Sequence, residues 1–453
     1  MRKLLFLFLL AVSNNVLAQK QRFIVAGPMI GHTELRTAAI WVQFAAEVKN
    51  ATISYIEKNL ADKKAAVVNM VLSGGEFNTA NAVLTGLEPG KTYTYYIKTN
   101  LSAEPSAKGE VTTQQLWQWR KPAPDFSFIT GSCAYFNEPQ YDRPGKPYGG
   151  DSSIFETMAK EKADFMFWLG DNCYTREADY YSEWGLNYRA SKDRSSPTLQ
   201  GLLKAMPQYA IWDDHDYGPN DGDKSFTLKD AARNVFTKYW SNPSYGEGGQ
   251  GVYSKISWND ITVFMLDDRW YRSNDGTKDS INGQPNPAKK MLGDIQMEWL
   301  KNALLQSNGN AQTNFRIIAV GSQVLNTYSP YDCFHHFPAE YDELMNFIVD
   351  NKINGVVFVT GDRHHSEIIK AERPGSYTLY DITASPLTSG VAKTRGAEAN
   401  NPARVGPEID VQNYTRFSFQ GQGKERKMTV NFIGIHGENL HEWTVMAAAL
   451  TDK

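Results

Sequence analysis

Phe165-Met-Phe-Trp-Leu169 runs directly into Gly170-Asp-Asn-Cys-Tyr174. Five apolar residues in a row, closed by a glycine and an acid, read as a buried strand that ends in a polar turn. The same arrangement recurs along the chain. Phe126-Ser-Phe-Ile-Thr130 leads into Gly131-Ser-Cys133, and Tyr209-Ala-Ile-Trp212 leads into Asp213-Asp-His-Asp216. Ile261-Thr-Val-Phe-Met-Leu266 leads into Asp267-Asp-Arg269, and Phe315-Arg-Ile-Ile-Ala-Val320 into Gly321-Ser-Gln323. Val356-Val-Phe-Val-Thr360 leads into Gly361-Asp-Arg-His364. Helical stretches lie between them, from Ser153 to Lys162, Leu228 to Tyr239 and Pro338 to Asp350. Buried strands alternating with helices predict an α/β fold. Ligands in such folds gather at the carboxyl ends of the strands, so these polar turns should meet at one place.

Together the turns supply Cys133, Asp171, Asn172, Tyr174, Asp213, Asp214, His215, Asp216, Gln323, Asp362, His364 and His365. Several acids converging on one rim repel each other unless a cation lies among them. The ligands are too many for one ion. Two metals about 3.5–4 Å apart suit phosphoester hydrolysis, since both bind the phosphoryl oxygens and one delivers the nucleophile.

The remaining sequence sets the context. The chain has 453 residues, 41% hydrophobic and 21% charged, which excludes a disordered chain and allows two domains. A net charge of −3 argues against a nucleic-acid binder, whose footprint is basic. Three cysteines cannot staple a fold of this size, so it must rest on a buried core. Arg2 and Lys3 precede the apolar run Leu4 to Val12, and Val16-Leu-Ala18 offers a cleavage site before Gln19. Residues 1–18 therefore read as a secretory signal peptide of the Sec type, since no twin arginine is present. The expected destination is a periplasm or the outside, with no membrane span elsewhere. Residues 19–116 form a second unit. Thr37-Ala-Ala-Ile-Trp-Val-Gln-Phe44, Ala51-Thr-Ile-Ser-Tyr-Ile56 and Tyr93-Thr-Tyr-Tyr-Ile-Lys98 are rich in β-branched and aromatic residues, with turns at Gly74-Gly75 and Pro89-Gly90. The length and pattern resemble a fibronectin type III-like β-sandwich, expected to be a scaffold or docking domain. Residues 117–124 read as a linker and residues 125–453 as the catalytic domain.

Gly170-Asp-Asn-Cys-Tyr174 matches the Gly-Asp-x-x-Tyr motif of purple acid phosphatases, and Asp213-Asp-His-Asp216 is similar to the variant seen in alkaline phosphatase D (PhoD)-type enzymes. Gly131-Ser-Cys133, Gly361-Asp-Arg-His364 and the sandwich ahead of them also resemble that family. The resemblance covers nearly the whole chain after the signal. It implies a calcineurin-like metallophosphatase core, a four-layer α/β/β/α sandwich. It also implies that Cys133, Asp171, Tyr174 and His364 hold a first metal, that Asp171 bridges to a second, and that Asp214 and Asp362 are further ligands of that second ion. Gln323 stands where related phosphatases place a histidine ligand, and His215 matches the histidine beside the phosphate.

The donor chemistry separates the two ions. Thiolate and imidazole suit iron or zinc, and a tyrosinate adds a preference for ferric iron. The all-oxygen set of the second ion suits calcium, magnesium or manganese. Iron with calcium is also what the resemblance implies, with zinc as the fallback at the first site. The expected activity is a secreted phosphohydrolase on phosphomonoesters, phosphodiesters or both, through attack of a metal-activated hydroxide on phosphorus. The alternatives are a dedicated phosphodiesterase or phospholipase D-like enzyme, or a metal-stabilised binding protein without turnover.

Other residues have two readings each. Cys133 is a ligand, a buried structural thiol or the partner of Cys173 in a disulfide, while Cys333 reads as an unpaired or disulfide cysteine in a loop. Asp213 and Asp216 read as residues that support the ligands from behind or cap the loop, and His365 as a supporting or structural residue. Arg143 and Lys146 are a phosphate clamp or ordinary surface charge. Arg269 and Arg272 should pair with the neighbouring Asp267 and Asp268. His335 and His336 line the substrate mouth or lie on a solvated loop, with the second expected.

Overall fold

A computed structural model describes residues 23–60 and 64–452. The expected signal peptide lies outside these residues. Seven strands come first: β1 (Ile24–Thr33), β2 (Ala38–Phe44), β3 (Ala51–Glu57), β4 (Ala66–Met70), β5 (Asn78–Leu84), β6 (Thr92–Thr99) and β7 (Ala107–Thr112). They form a three-stranded sheet β1-β2-β5 and a four-stranded sheet β4-β3-β6-β7, antiparallel throughout. In β3 burial alternates along Ala51, Ile53 and Tyr55, and these side chains meet Ile40, Val42 and Phe44 of β2 between the sheets. This is the expected N-terminal β-sandwich.

The rest of the chain supplies β8 (Phe126–Gly131), β9 (Phe165–Leu169), β10 (Gln208–Ile211), β11 (Ser254–Trp258) and β12 (Ile261–Met265). After the short hairpin β13 (Ser280–Ile281) and β14 (Gln284–Pro285) come β15 (Phe315–Val320), β16 (Val356–Thr360), β17 (Glu367–Ala371) and β18 (Leu379–Thr383). The last three are β19 (Asn413–Gln420), β20 (Lys427–Gly434) and β21 (Asn439–Met446). They build two six-stranded sheets, β10-β9-β8-β19-β20-β21 and β11-β12-β15-β16-β18-β17. In the first, β8, β9 and β10 are parallel; in the second, β12, β15, β16 and β18 are parallel.

Strict two-residue alternation explains the layers. Phe165, Phe167 and Leu169 of β9 enter the core shared with Phe358 of β16 and Phe417 of β19. Met166 and Trp168 of the same strand face the other way, onto Phe155, Leu202 and Phe236. Those three belong to α1 (Ile154–Met158), to the helix Gln200–Ala205 and to the helix Lys229–Tyr239. Helices Gly293–Asn308 and Pro338–Asp350 cover the second sheet through Leu300, Leu304, Leu344 and Ile348. The architecture is the expected α/β/β/α sandwich.

The β-sandwich is seated on the first sheet. His32 N donates to Ser241 O at 2.8 Å, Thr33 N to Tyr209 Oη at 3.1 Å, and Trp41 Nε1 to Lys238 O at 2.8 Å. Gly31 is required at this seam, since a Cβ there would stand 2.2 Å from Ser241 Cβ.

A buried ion pair ties the far end together. Arg426, at the start of β20, donates to Asp260 through Nε at 2.8 Å and Nη2 at 2.5 Å, and to Asp125 at 3.0 Å. Arg426 and Asp260 are both buried. Arg426→Met should leave the Asp260 carboxylate uncompensated and lower stability by about 3–5 kcal/mol. Urea unfolding followed by tryptophan fluorescence reads this directly; an unchanged midpoint would refute it.

Candidate metal centre

Seven parallel or near-parallel strand ends open on the same side of the two sheets. The side chains that converge sit two or three residues past those ends: Cys133 after β8, Asp171 after β9, Asp213 and Asp214 after β10, Asp362 after β16 and Ser385 after β18. Turning a side chain inward so soon after a strand needs an abrupt backbone change. Cys133, Asp171, Asp362 and His364 all have positive φ, at 62°, 51°, 63° and 57°. This region is strained for residues with a Cβ, and such strain collects at functional sites. Gly170, with φ +89°, makes the approach possible, because a Cβ there would lie 2.6 Å from Asp213 Cβ.

The turns are bonded to one another. Cys133 N reaches Gly170 O at 3.4 Å and Ala134 N reaches Asp171 O at 2.8 Å. Asp213 caps the short helix Asp214–Tyr217, and Asp216 closes the capping box. The Asp216 carboxylate also accepts from Asn172 N at 3.0 Å, which locks the Asp171 turn to the Asp214 turn. His215 N donates to Asp171 Oδ1 at 3.2 Å. Asp213 and Asp216 thus take the loop-capping role expected of them.

Three groups of candidate ligand atoms result, each within 4.8 Å: Cys133, Asp171 and His364; Asp171, Asp214 and His215; and Asp213, Asp214 and Asp362. Asp171 and Asp214 each belong to two of them. Tyr174 joins the first group, its Oη 3.1 Å from His364 Nε2. Its ring stacks on His215 with centroids 4.2 Å apart. Cys133, Asp171, Tyr174, Asp214, His215, Asp362 and His364 therefore meet at one rim.

The electrostatics call for cations. Burial and the neighbouring Asp214 and Cys133 push the Asp171 carboxyl well above its ordinary range. Burial, with Asp332 and Asp214 nearby, raises Asp362 to about 7. Burial raises the Cys133 thiol to about 11, against hydrogen bonds from Ser132 and Ser385. Burial opposes ionisation of Asp214 too, but His215, Arg269 and the Asp221 amide outweigh it and hold that carboxyl below the usual range. Burial lowers His215, against the pull of the Asp214 carboxylate. Asp213 Oδ2, Asp214 Oδ1 and His215 Nδ1 are buried with no hydrogen-bond partner. Buried polar atoms are nearly always paired, so these fit donors awaiting an ion.

One fixed cation is built in. Arg269 is buried, with Nε 2.6 Å from Asp213 Oδ1, Nη2 2.8 Å from Asp332 Oδ2, and Asp268 at 3.7 Å. Arg272 bonds Asp332 Oδ1 at 2.6 Å and Asp275 at 2.8 Å. The expected pair of Arg269 with Asp268 is present, but the closer partners of the two arginines are Asp213, Asp332 and Asp275. Asp267 is taken by Trp212 Nε1 at 2.7 Å and by backbone amides.

A PhoD-like phosphatase family model matches residues 128–432. The chain belongs to the PhoD-like phosphatase family. Alkaline phosphatase D of Bacillus subtilis (strain 168) is 28% identical over 326 residues, 62% of this chain and 52% of that protein. The match thus spans about half the length of that relative. The fold is similar to a solved structure of PhoD, with a TM-score of 0.74 and 19% identity over 96% of this chain and 92% of that one. It is also similar to the purple acid phosphatase PPD1 from yellow lupin seeds, with a TM-score of 0.68 and 10% identity over 92% of this chain and 74% of that one.

Within this PhoD-like frame several sequence expectations change. Gln323 faces away from the candidate ligands: Nε2 donates to Glu367 at 2.8 Å and Thr383 at 2.9 Å, while Oε1 accepts from Asn326 and Arg363 at 3.0 and 3.1 Å. A side chain so fully engaged has no lone pair aimed at the rim. Arg143 has the surroundings of the surface-charge reading: its side chain is 86% exposed and paired with Glu177 at 3.0 Å. All three cysteines are free. Cys133 Sγ lies 3.6 Å from Asp171 and 3.2 Å from Ser385 Oγ, whereas Cys173 Sγ lies 3.8 Å from Asp216. His336 lines the cleft instead of lying on a solvated loop, and His335 packs edge-on against Tyr341.

A further group, His365, Glu367 and Glu398, also has ligand spacing. It is already discharged by Arg404, 2.7 Å from Glu367, and Arg363, 2.8 Å from Glu398. His365 is held by its Nδ1, 2.9 Å from Arg363 O, and its Nε2 lies 3.4 Å from Glu367. Sequence reasoning missed Ser385, whose Oγ meets both Cys133 Sγ and His364 N. Its signal was its place two residues past Leu379-Tyr-Asp-Ile-Thr383, a strand masked by its polar residues.

Arg269→Met should unbalance Asp213, Asp268 and Asp332. The expected loss in metal-free protein is about 3–5 kcal/mol, partly restored by added divalent cation. Thermal melts with chelator and with calcium test this, and equal melting points for variant and parent would count against it.

Proposed function

We propose that this chain is an exported two-metal phosphoester hydrolase acting on phosphomonoesters, phosphodiesters or both. The observation that carries the reading is the convergence of buried, partnerless acidic oxygens with a thiol, a phenol and two imidazoles at one rim, of which Asp171, Asp214, His215, Asp362 and His364 line a cleft. Cys133, Asp171, Tyr174 and His364 would hold the first ion, and Asp171, Asp214 and Asp362 the second. The donor set favours iron at the first position and calcium at the second, with zinc, manganese or magnesium as substitutes. When bound, such a pair supplies Lewis-acid polarisation of the phosphoryl oxygens and a water acidified to near-neutral pKa.

The chain's own residues do the rest. His215 is partly buried and stacked on Tyr174, so its ring is held in one plane against the cleft. It offers an N–H to the leaving oxygen, where developing charge strengthens that hydrogen bond. Asp171 fixes the His215 backbone through the bond at 3.2 Å, which couples the bridging ligand to the proton donor. Arg269 places a fixed guanidinium between Asp213 and Asp332, beside the residues that would hold the second ion.

The cleft volume is about 1200 Å³, and its walls run from Tyr148 and Arg395 to Asp221 and Asp279. That is ample for both arms of a diester, which favours including diesters among the substrates. The β-sandwich contributes no residue to this lining and supports a docking or scaffold role. Export rests on the signal read in residues 1–18. No helix among the described residues is long and apolar enough to cross a membrane.

p-Nitrophenyl phosphate and its bis ester, assayed with and without calcium, should both report metal-dependent release. Asp171→Ala should abolish turnover and lower metal content with the fold retained. His215→Gln should keep its metals and lose about 10²–10⁴-fold in kcat. Full activity after exhaustive chelation, or in Asp171→Ala, would contradict the two-metal reading.

A further inference from the structure

We infer that Tyr148 is a positioning residue for His364, fixing which ring nitrogen carries the proton; this rests on reading His364 as a ligand of the first ion. The imidazole of His364 stands between two phenols. Tyr174 Oη lies 3.1 Å from Nε2, and Tyr148 Oη lies 2.9 Å from Nδ1. Tyr174 is itself beside Cys133 and Asp171, so Nε2 is the nitrogen turned toward that group. Only an unprotonated nitrogen binds a cation. With Nε2 given to the ion, the proton must sit on Nδ1 and needs an acceptor. Tyr148 Oη is the acceptor the structure provides, and among the described residues Nδ1 has no other partner.

The loop is built to hold that hydroxyl in place. Most of residues 141–150 is exposed, and Tyr148 itself is 44% exposed, as a surface tyrosine would be. Its surroundings are not those of a surface tyrosine. Asn137 clasps Gly149 from both sides, accepting from its N–H at 2.9 Å and donating to its carbonyl at 2.7 Å. Gly150 N donates to Thr388 O at 2.7 Å. Tyr135 packs edge-on against the Tyr148 ring with centroids 5.0 Å apart. On the other side the ring lies over Gly390, where a Cβ would stand only 3.0 Å from it. These contacts come from the segment after Cys133 and the segment after Ser385, so the phenol is fixed to the same turns that carry the ligands. A hydrogen-bonded partner of this kind sets the ring's orientation and raises its basicity.

The test uses zinc as the probe. Full-length protein is stripped with chelator, and zinc affinity is measured by competition with a coloured chelator for the parent, Tyr148→Phe, His364→Gln and Tyr181→Phe. Phenylalanine keeps the ring against Gly390 and removes only the hydroxyl. Tyr148→Phe should weaken one zinc equivalent about 10–100-fold and leave the other unchanged. Tyr181, 78% exposed, serves as the control that should not move. In ¹⁵N-labelled apoprotein the His364 ring should be the Nδ1–H tautomer, and Tyr148→Phe should mix the tautomers. Parent-like zinc binding by Tyr148→Phe, with one equivalent lost in His364→Gln, overturns the proposal while leaving the ligand reading intact. Parent-like binding by His364→Gln overturns both.

Discussion

The structure turns on a crowd of like charges held away from water. Asp171, Asp213, Asp214 and Asp362 are brought to one rim with Cys133 and Tyr174, and burial penalises the ionised form of each. No packing of apolar groups could offset that arrangement. It is tolerable because Arg269 supplies one permanent positive charge and because the remaining partnerless oxygens are set for cations. Everything around the rim serves either to bring the acids together or to keep them from escaping.

Bringing them together is the work of the two sheets. Parallel strands deliver all their carboxyl ends to one side, and each polar turn begins within three residues of a strand end. The turns then double back through left-handed backbone at Cys133, Asp171, Asp362 and His364. Such conformations persist only when the surroundings over-determine them. Here the surroundings are the Asp216 carboxylate on the Asp171 turn, Ser385 on the Cys133 and His364 turns, and the Arg363–Glu398 pair behind Asp362. The strain at the rim is therefore held by polar networks directly beneath it, and those in turn by the aromatic core between the sheets.

The same layering explains the division of labour along the chain. The β-sandwich has its own core and meets the first sheet through backbone hydrogen bonds at His32 and Thr33, remote from the cleft. The segment from Val391 to Glu398 does the opposite. It forms a cleft wall, and Glu398 anchors it by reaching inward to Arg363 and Asn326. The cleft surface thus comes from loops pinned by buried charge, on a scaffold whose stability comes from apolar burial.

The sequence alone was enough for the fold class, the family resemblance and the residues of the rim. Those features are local. A run such as Phe165 to Leu169 declares a buried strand by its composition, and Gly170-Asp171 declares the turn that follows. What only the tertiary structure decided is which distant groups pair. Arg269 takes Asp213 and Asp332 instead of its neighbour Asp267, and Gln323 spends itself on Glu367 and Thr383. Arg143 turns outward while Tyr148, five residues on, turns in to His364. Strand periodicity is written in neighbouring residues, because backbone geometry repeats every two of them. A charge or hydrogen-bond partner is chosen by whatever the fold brings within about 3 Å, and residues far apart in the chain carry no local mark of that choice.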